Sequence, residues 1–118
     1  MSCFDILLVD DNKITTELLG NLLKSQGFSV AACNEAVDAV NAVKDGCFKM
    51  MVIDYRMPEV NGVELTRRLR PLCPNSYILG ISIELRNDEF LSAGADEFMN
   101  KPFRIDEFLA LVKIKASA

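Results

Sequence analysis

Short apolar runs alternate with amphipathic segments about five times along the chain, the order of a parallel sheet whose crossovers are helices. The runs predict strands over about Asp5–Asp10, Phe28–Cys33, Phe48–Asp54, Tyr77–Ser82 and Ala95–Asn100. Between them, apolar residues three and four apart predict helices. The first helix runs from about Asn12 to Gln26, with Ile14, Leu18, Leu19, Leu22 and Leu23 on its inner face and Gly27 as its stop. Gly20 inside it costs about 1 kcal/mol against alanine, which fits close packing on the sheet. Asn34 caps the second helix, which turns Ala36, Val37, Val40 and Val43 inward and ends at Gly46. The third starts after Gly62, carries Val63, Leu65, Thr66 and Leu69, and stops before Pro71, whose ring clashes with the preceding turn. The fourth begins at Asn87 or Asp88, and Gly94 ends it within two turns. The last, Ile105–Lys115, buries Ile105, Phe108, Leu109 and Val112.

Strands one and three are apolar on both faces, as central strands of a doubly wound sheet are, whereas Ser29 makes the second strand suit an edge. Right-handed crossovers bring every strand C-terminus to one edge, where such sheets bind ligands. Asp10-Asp11, Asp54 and Ser82 fall at those ends, and Lys101-Pro102-Phe103 follows the fifth strand. Three acids, a hydroxyl and an amine suit a site that binds a hard cation and receives a phosphoryl group. Mg²⁺ takes oxygen ligands and keeps several waters, so Asp11 and Asp54 serve as direct ligands. Asp10, direct or through water, and the Arg56 carbonyl complete the set. A carboxylate can attack phosphorus to give an acyl phosphate, and Asp54 is the expected acceptor. The metal, Lys101 and Ser82 would then stabilise the equatorial oxygens.

Each element alone has a plainer reading. Asp10-Asp11-Asn12 would serve simply to cap the first helix, Ser82 to satisfy local backbone donors, and Lys101 to sit at the surface. Their joint order and topology favour the phosphoryl site.

Composition narrows the field further. The 118 residues suit one domain, 1–118, large enough to bury roughly two-thirds of its unfolded surface. With no histidine, Ser-His and Cys-His nucleophile pairs and phosphohistidine are excluded. The net charge of −4 argues against direct nucleic-acid binding, and Arg67-Arg68 with Arg70 reads as the solvated face of a helix. No apolar stretch approaches the ~20 residues of a membrane span, and the start lacks a basic n-region, so a cytoplasmic protein is expected. Cys3, Cys33, Cys47 and Cys73 are far apart with no C-x-x-C pair, which predicts reduced thiols packed as small apolar groups.

The run Ile6-Leu7-Leu8-Val9-Asp10-Asp11, the motif Asp54-x-x-Met57-Pro58-x-x-x-Gly62 and Lys101-Pro102-Phe103 together resemble the receiver domain of two-component response regulators, the single-domain chemotaxis type included. The resemblance covers essentially the whole chain. It implies a flavodoxin-like, CheY-like α/β fold with five parallel strands in the order 2-1-3-4-5. It makes Asp54 the phosphoacceptor, Asp10 and Asp11 the acidic pair, Ser82 the switch hydroxyl, Lys101 the phosphate-binding lysine and Phe98 the aromatic switch. It further implies a cis Lys101-Pro102 bond, and Mg²⁺ as cofactor with Mn²⁺ as substitute. A histidine kinase or phosphotransfer protein would be the donor. A downstream protein would read the face of helix four, strand five and helix five, the domain being a monomer or a phosphorylation-dependent dimer. No enzymatic turnover beyond self-phosphorylation and self-dephosphorylation is implied.

Three departures modify this expectation. Ser82 and Lys101 lie about three residues closer than is usual, close to one turn, which implies a shortened fourth helix. Ile83 stands where the family usually has a small residue, and would narrow access to Asp54. Arg56 and Glu84 occupy variable positions and are expected either to pair across the pocket mouth, slowing water's attack, or to remain solvated. Rival readings fare worse. A haloacid-dehalogenase-type phosphatase needs a second acid where Arg56 stands. A flavodoxin-type nucleotide binder needs a phosphate loop where Asp10-Asp11 would repel it. A phosphate-independent pseudo-receiver remains a minority alternative, since every named acid, Ser82 and Lys101 is present.

Overall fold

The computed structural model describes residues 4–117. Five parallel strands, β1 (Ile6–Val9), β2 (Val30–Cys33), β3 (Met50–Asp54), β4 (Tyr77–Ser82) and β5 (Glu97–Asn100), lie in the order β2-β1-β3-β4-β5. Helices α1 (Lys13–Ser25), α2 (Ala36–Lys44), α3 (Gly62–Leu72), α4 (Asn87–Ala93) and α5 (Ile105–Lys115) connect and follow them. β1 and β3 run side by side in the middle, Ile6 against Met50 and Val9 against Ile53, and are buried throughout.

Alternation along the strands sends neighbouring residues to opposite faces. Leu7, Val9, Met51 and Ile53 pack with Ala39, Leu65, Leu69 and Phe90 beneath α2, α3 and α4. Ile6, Leu8, Met50 and Val52 pack with Leu23, Phe108 and Val112 beneath α1 and α5. Two apolar layers therefore fix the register of the central strands, because a slip by one residue would exchange them. Among the described residues no helix is long and apolar enough to cross a membrane.

Several helix faces differ from the sequence pattern. In α1 the buried residues are Thr16, Gly20 and Leu23, while Ile14 and Leu18 are 68% and 66% exposed. Gly20 faces Leu8 and Val30 on the sheet, where a β-carbon would find only ordinary contacts. Val37 and Ile105 likewise face outward. Glu35, not Asn34, holds the N-cap position of α2. The Asn34 amide instead donates to the Asp10 carbonyl at 2.7 Å and to Thr16 Oγ1 at 3.2 Å.

α3 continues through Pro71 to Leu72 rather than stopping before it. Pro71 cannot donate to the Arg67 carbonyl one turn back, but it stands next to last in α3, and the Cys73 N–H still closes the end on the Leu69 carbonyl. Arg70 also draws the end together: its guanidinium donates to the Cys73, Pro74, Ser76 and Gly94 carbonyls and pairs with Asp96 at 2.7 Å. Arg70 is thus a structural tie, whereas Arg67 and Arg68 are exposed and pair with Glu64.

The reduced-thiol expectation also fails at one pair. Cys47, before β3, and Cys73, at the end of α3, are joined in a disulfide with their Cα atoms 5.8 Å apart. Parallel crossovers return both loops to the end of the sheet opposite the acids, a proximity hidden by 26 residues of sequence. Cys33 remains a free, buried thiol, its pKa pushed up to about 11 by burial and then by the Asp38 charge. Cys3 lies outside the described residues.

Candidate functional site

Asp10 follows β1, and Asp54 is the last residue of β3, so adjacent parallel strands deliver their carboxylates side by side. Carboxylate oxygens of Asp10, Asp11 and Asp54 all lie within 4.8 Å of one another. Asp10 and Asp54 are each only 5% exposed, while Asp11 faces solvent. Local structure holds them: Asp10 Oδ1 accepts from the Asn12 N–H at 3.0 Å, and Asn12 caps α1 by accepting from Ile14 and Thr15. Asp54 Oδ2 accepts from the Arg56 N–H at 3.1 Å.

Lys101 completes the cluster from the far side of the sheet. Its Nζ lies 2.8 Å from Asp54 Oδ1 and 3.3 Å from Asp10 Oδ2. Burial pulls the ammonium pKa down, but the Asp54 hydrogen bond and the charges of Asp54 and Asp10 outweigh it and hold it above the ordinary lysine value. For Asp54, burial is the largest influence, and with the Asp10 charge it outweighs the Lys101 hydrogen bond, so the carboxyl titrates above its usual range. One ammonium facing two buried acids leaves the cluster net negative. The Lys101-Pro102 bond is cis, as the resemblance implied.

The glycine of the Asp54 motif has a steric reason. The Gly62 N–H donates to the Tyr55 carbonyl at 2.8 Å, and a β-carbon at Gly62 would collide with the Asp54 carbonyl. The start of α3 thus seats directly on the backbone of the expected acceptor.

Ser82, 2% exposed, ends β4 beside β3, where Asp54 is paired with Ile81. Its Oγ accepts from the Glu84 N–H at 3.0 Å. Arg56 and Glu84 do pair, at 3.2 Å, between side chains 70% and 43% exposed. Ile83 is 71% exposed and lines an apolar groove of about 560 Å³ with Leu18, Pro102, Phe103 and Ile105. Phe98 is half-buried, its ring centroid 5.7 Å from that of Phe90 in α4. α4 has seven residues, in keeping with the short Ser82–Lys101 spacing.

Two participants escaped the sequence reading. The Asn100 amide donates to the Ser82, Ile83 and Glu84 carbonyls at 2.8, 3.0 and 3.4 Å. Like Asp54 and Ser82 it is a polar residue closing a strand, which was the available signal. Arg86 lies over the Tyr55 ring, its guanidinium carbon 4.1 Å from the centroid, and nothing in its sequence setting marks it.

The description "response regulator receiver domain" matches residues 6–113, and the chain belongs to that family. Its members are signalling phosphoacceptor domains of two-component systems. The response regulator MprA of Mycobacterium leprae is 34% identical over 111 residues, which cover 92% of this chain and 49% of that protein. The chain spans about half the length of the curated response regulators it matches. A CheY-like receiver domain of Methanospirillum hungatei is 26% identical with a TM-score of 0.89, covering 98% of this chain and 95% of that one. The response regulator TrrA of Thermotoga maritima, solved in complex with Mg²⁺ and BeF, is 26% identical with a TM-score of 0.84, over 92% and 96% of the two chains.

Proposed function

We propose that Asp54 is the phosphoacceptor and that a histidine kinase or phosphotransfer protein is its donor. The observation that carries this reading is the Lys101 ammonium reaching two buried carboxylates on neighbouring strand ends, with the Ser82 hydroxyl at the next strand. In the transfer an Asp54 carboxylate oxygen bonds to phosphorus as the donor's phosphorus–nitrogen bond breaks, and the freed imidazole takes up a proton. Lys101 keeps the positive charge that the added phosphoryl oxygens need, and Ser82 turns its hydroxyl hydrogen toward them.

The donor set is all oxygen and net negative, which fits a hard divalent cation. Asp10, Asp11, Asp54 and the Arg56 carbonyl would hold Mg²⁺, or Mn²⁺ in its place. When bound, the ion offsets the mutual repulsion of the acids and of the incoming phosphoryl group. The Mg²⁺ of the similar TrrA supports this choice.

Phosphorylation then shifts the population of states in which Ser82 and Phe98 are repositioned, changing the α4–β5–α5 face that a downstream protein reads. The seven-residue α4 makes that face smaller than a longer helix would. The Arg56–Glu84 pair spans the pocket mouth and slows hydrolysis of the acyl phosphate; Arg56→Ala would shorten its lifetime, and an unchanged lifetime would remove the gate.

The experiment is intact mass after incubation with acetyl phosphate, with and without Mg²⁺, on the native chain and on Asp54→Ala. A single labile phosphoryl adduct that needs both Mg²⁺ and Asp54 is expected. No adduct from acetyl phosphate or from a panel of histidine kinases would overturn the reading in favour of a phosphate-independent interaction module.

A further inference from the structure

We infer that Arg86 is a positioning residue for the phosphorylation site, holding the loop after Ser82 over its mouth. The inference rests on Asp54 being the acceptor and extends that reading to a residue outside the site. Arg86 stands just before α4 and its side chain is 26% exposed. Its guanidinium makes three kinds of contact. It donates to both carboxylate oxygens of Glu89 at 3.0 and 3.3 Å, and to Glu84 Oε2 at 3.3 Å. Its guanidinium carbon lies over the ring of Tyr55, the residue directly after Asp54.

Glu84 is consequently shared, with Oε1 on Arg56 and Oε2 on Arg86. The Glu84 N–H in turn donates to Ser82 Oγ. A continuous chain therefore runs from the Tyr55 ring through Arg86 and Glu84 to the hydroxyl that must reach a phosphoryl group. Asn100 grips the same loop from β5 through three successive carbonyls. The loop backbone is thus held by Asn100, while its acidic side chain is held by Arg86.

An isolated Arg56–Glu84 pair, so exposed, would be weak. Arg86 changes this by fixing Glu84 in place, so that Arg56 meets a partner already immobilised, and by laying a planar cation on an aromatic face. Released from Arg86, the Glu84 side chain swings outward, its N–H loosens from Ser82 Oγ, and water gains access to phosphorus. In hydrolysis the water oxygen bonds to phosphorus, the Asp54 oxygen–phosphorus bond breaks, and the carboxylate is restored as phosphate and a proton leave.

The test compares the native chain with Arg86→Ala, Arg86→Lys, Tyr55→Leu and the double variant Arg86→Ala/Tyr55→Leu. Each is phosphorylated with acetyl phosphate and Mg²⁺, and loss of the adduct is followed by mass. Arg86→Ala should hydrolyse about fivefold faster, the equivalent of about 1 kcal/mol in the barrier, with adduct formation changed less. Arg86→Lys keeps a cation on Tyr55 but cannot bridge two carboxylates, and falls between. The double variant should be little faster than Arg86→Ala alone. Hydrolysis of Arg86→Ala within twofold of native, or independent effects at Arg86 and Tyr55, would overturn the inference.

Amide hydrogen exchange at Glu84 by NMR gives a readout that needs no phosphorylation. Faster Glu84 exchange in Arg86→Ala, with the β3 amides unchanged, supports the hold on the loop; unchanged Glu84 exchange refutes it. Failure of the native chain to take phosphate would instead strike the Asp54 reading, and the exchange data would still decide the role of Arg86.

Discussion

Replacing Lys101 with methionine removes a charge while roughly keeping the side chain's length, and the geometry sets what should follow. The ammonium serves two carboxylates at 2.8 and 3.3 Å, whose side chains are only 8% and 7% exposed. Breaking a fully buried ion pair costs about 3–5 kcal/mol because a charge is left uncompensated. Lys101 itself is 24% exposed, so water can partly replace it, and a loss of about 2 kcal/mol is expected in metal-free buffer. The residual penalty is the repulsion between Asp10 and Asp54. A divalent cation among Asp10, Asp11 and Asp54 supplies the missing positive charge, so saturating Mg²⁺ should shrink the difference from native to below about 1 kcal/mol. Urea unfolding followed by circular dichroism, with EDTA and with Mg²⁺, measures both numbers. An equal loss in the two buffers would refute the shared role of lysine and cation. A methionine variant more stable than native without metal would show that Lys101 does not offset the acids at all.

Three further outcomes follow from other parts of the structure. Gly62→Ala should cost about 1–3 kcal/mol in urea unfolding, since its β-carbon would collide with the Asp54 carbonyl; a neutral result would mean that α3 can back away from the site. Reduction should lower stability by about 3.5 kcal/mol in the native chain and leave Cys47→Ser unmoved, because the Cys47–Cys73 bridge closes a loop of 26 residues; equal sensitivity of the two proteins would contradict the bridge. The Ser29 backbone N–H is the largest influence lowering the Asp5 pKa, with Lys49 helping against a smaller burial effect. A depressed carboxylate stabilises above its unfolded pKa and loses that contribution as pH falls through its folded value. Asp5→Asn should therefore cost about 1 kcal/mol at neutral pH and nothing once the native Asp5 is protonated, read as converging unfolding midpoints in acid.

Much of the site was legible because it depends on strand ends, and strand ends are local. The runs closing at Asp54 and Ser82 coincide with the ends of β3 and β4, Asp10 follows β1, and parallel topology carries them to one edge. Gly62 was visible as part of a motif, but its reason, contact with the Asp54 carbonyl, is tertiary. The Arg56–Glu84 contact depends on the meeting of two loops, and the pair forms there between side chains that remain exposed to solvent. Arg86 was not legible, and Asn100 only as a polar strand end, since each acts on a neighbour that folding brings close: Tyr55 is 31 positions from Arg86 in sequence, and Ser82 is 18 from Asn100.

The amino-acid order alone determined the alternation of strands and helices, the short fourth helix and the acids, hydroxyl and lysine of the site, because period and position along one element encode them. Tertiary structure decided how the helices rotate and what crosses between loops. A helical pattern with apolar residues on more than one side has no single inner face until it meets the sheet, and packing turned Thr16, Gly20 and Leu23 inward and left Ile14 and Leu18 outside. Asn34 left its capping position for the Asp10 carbonyl, Arg70 gathered the end of α3, and Cys47 found Cys73. Each of these partners is set by where parallel crossovers return the chain, a distance in space that separation along the sequence does not report.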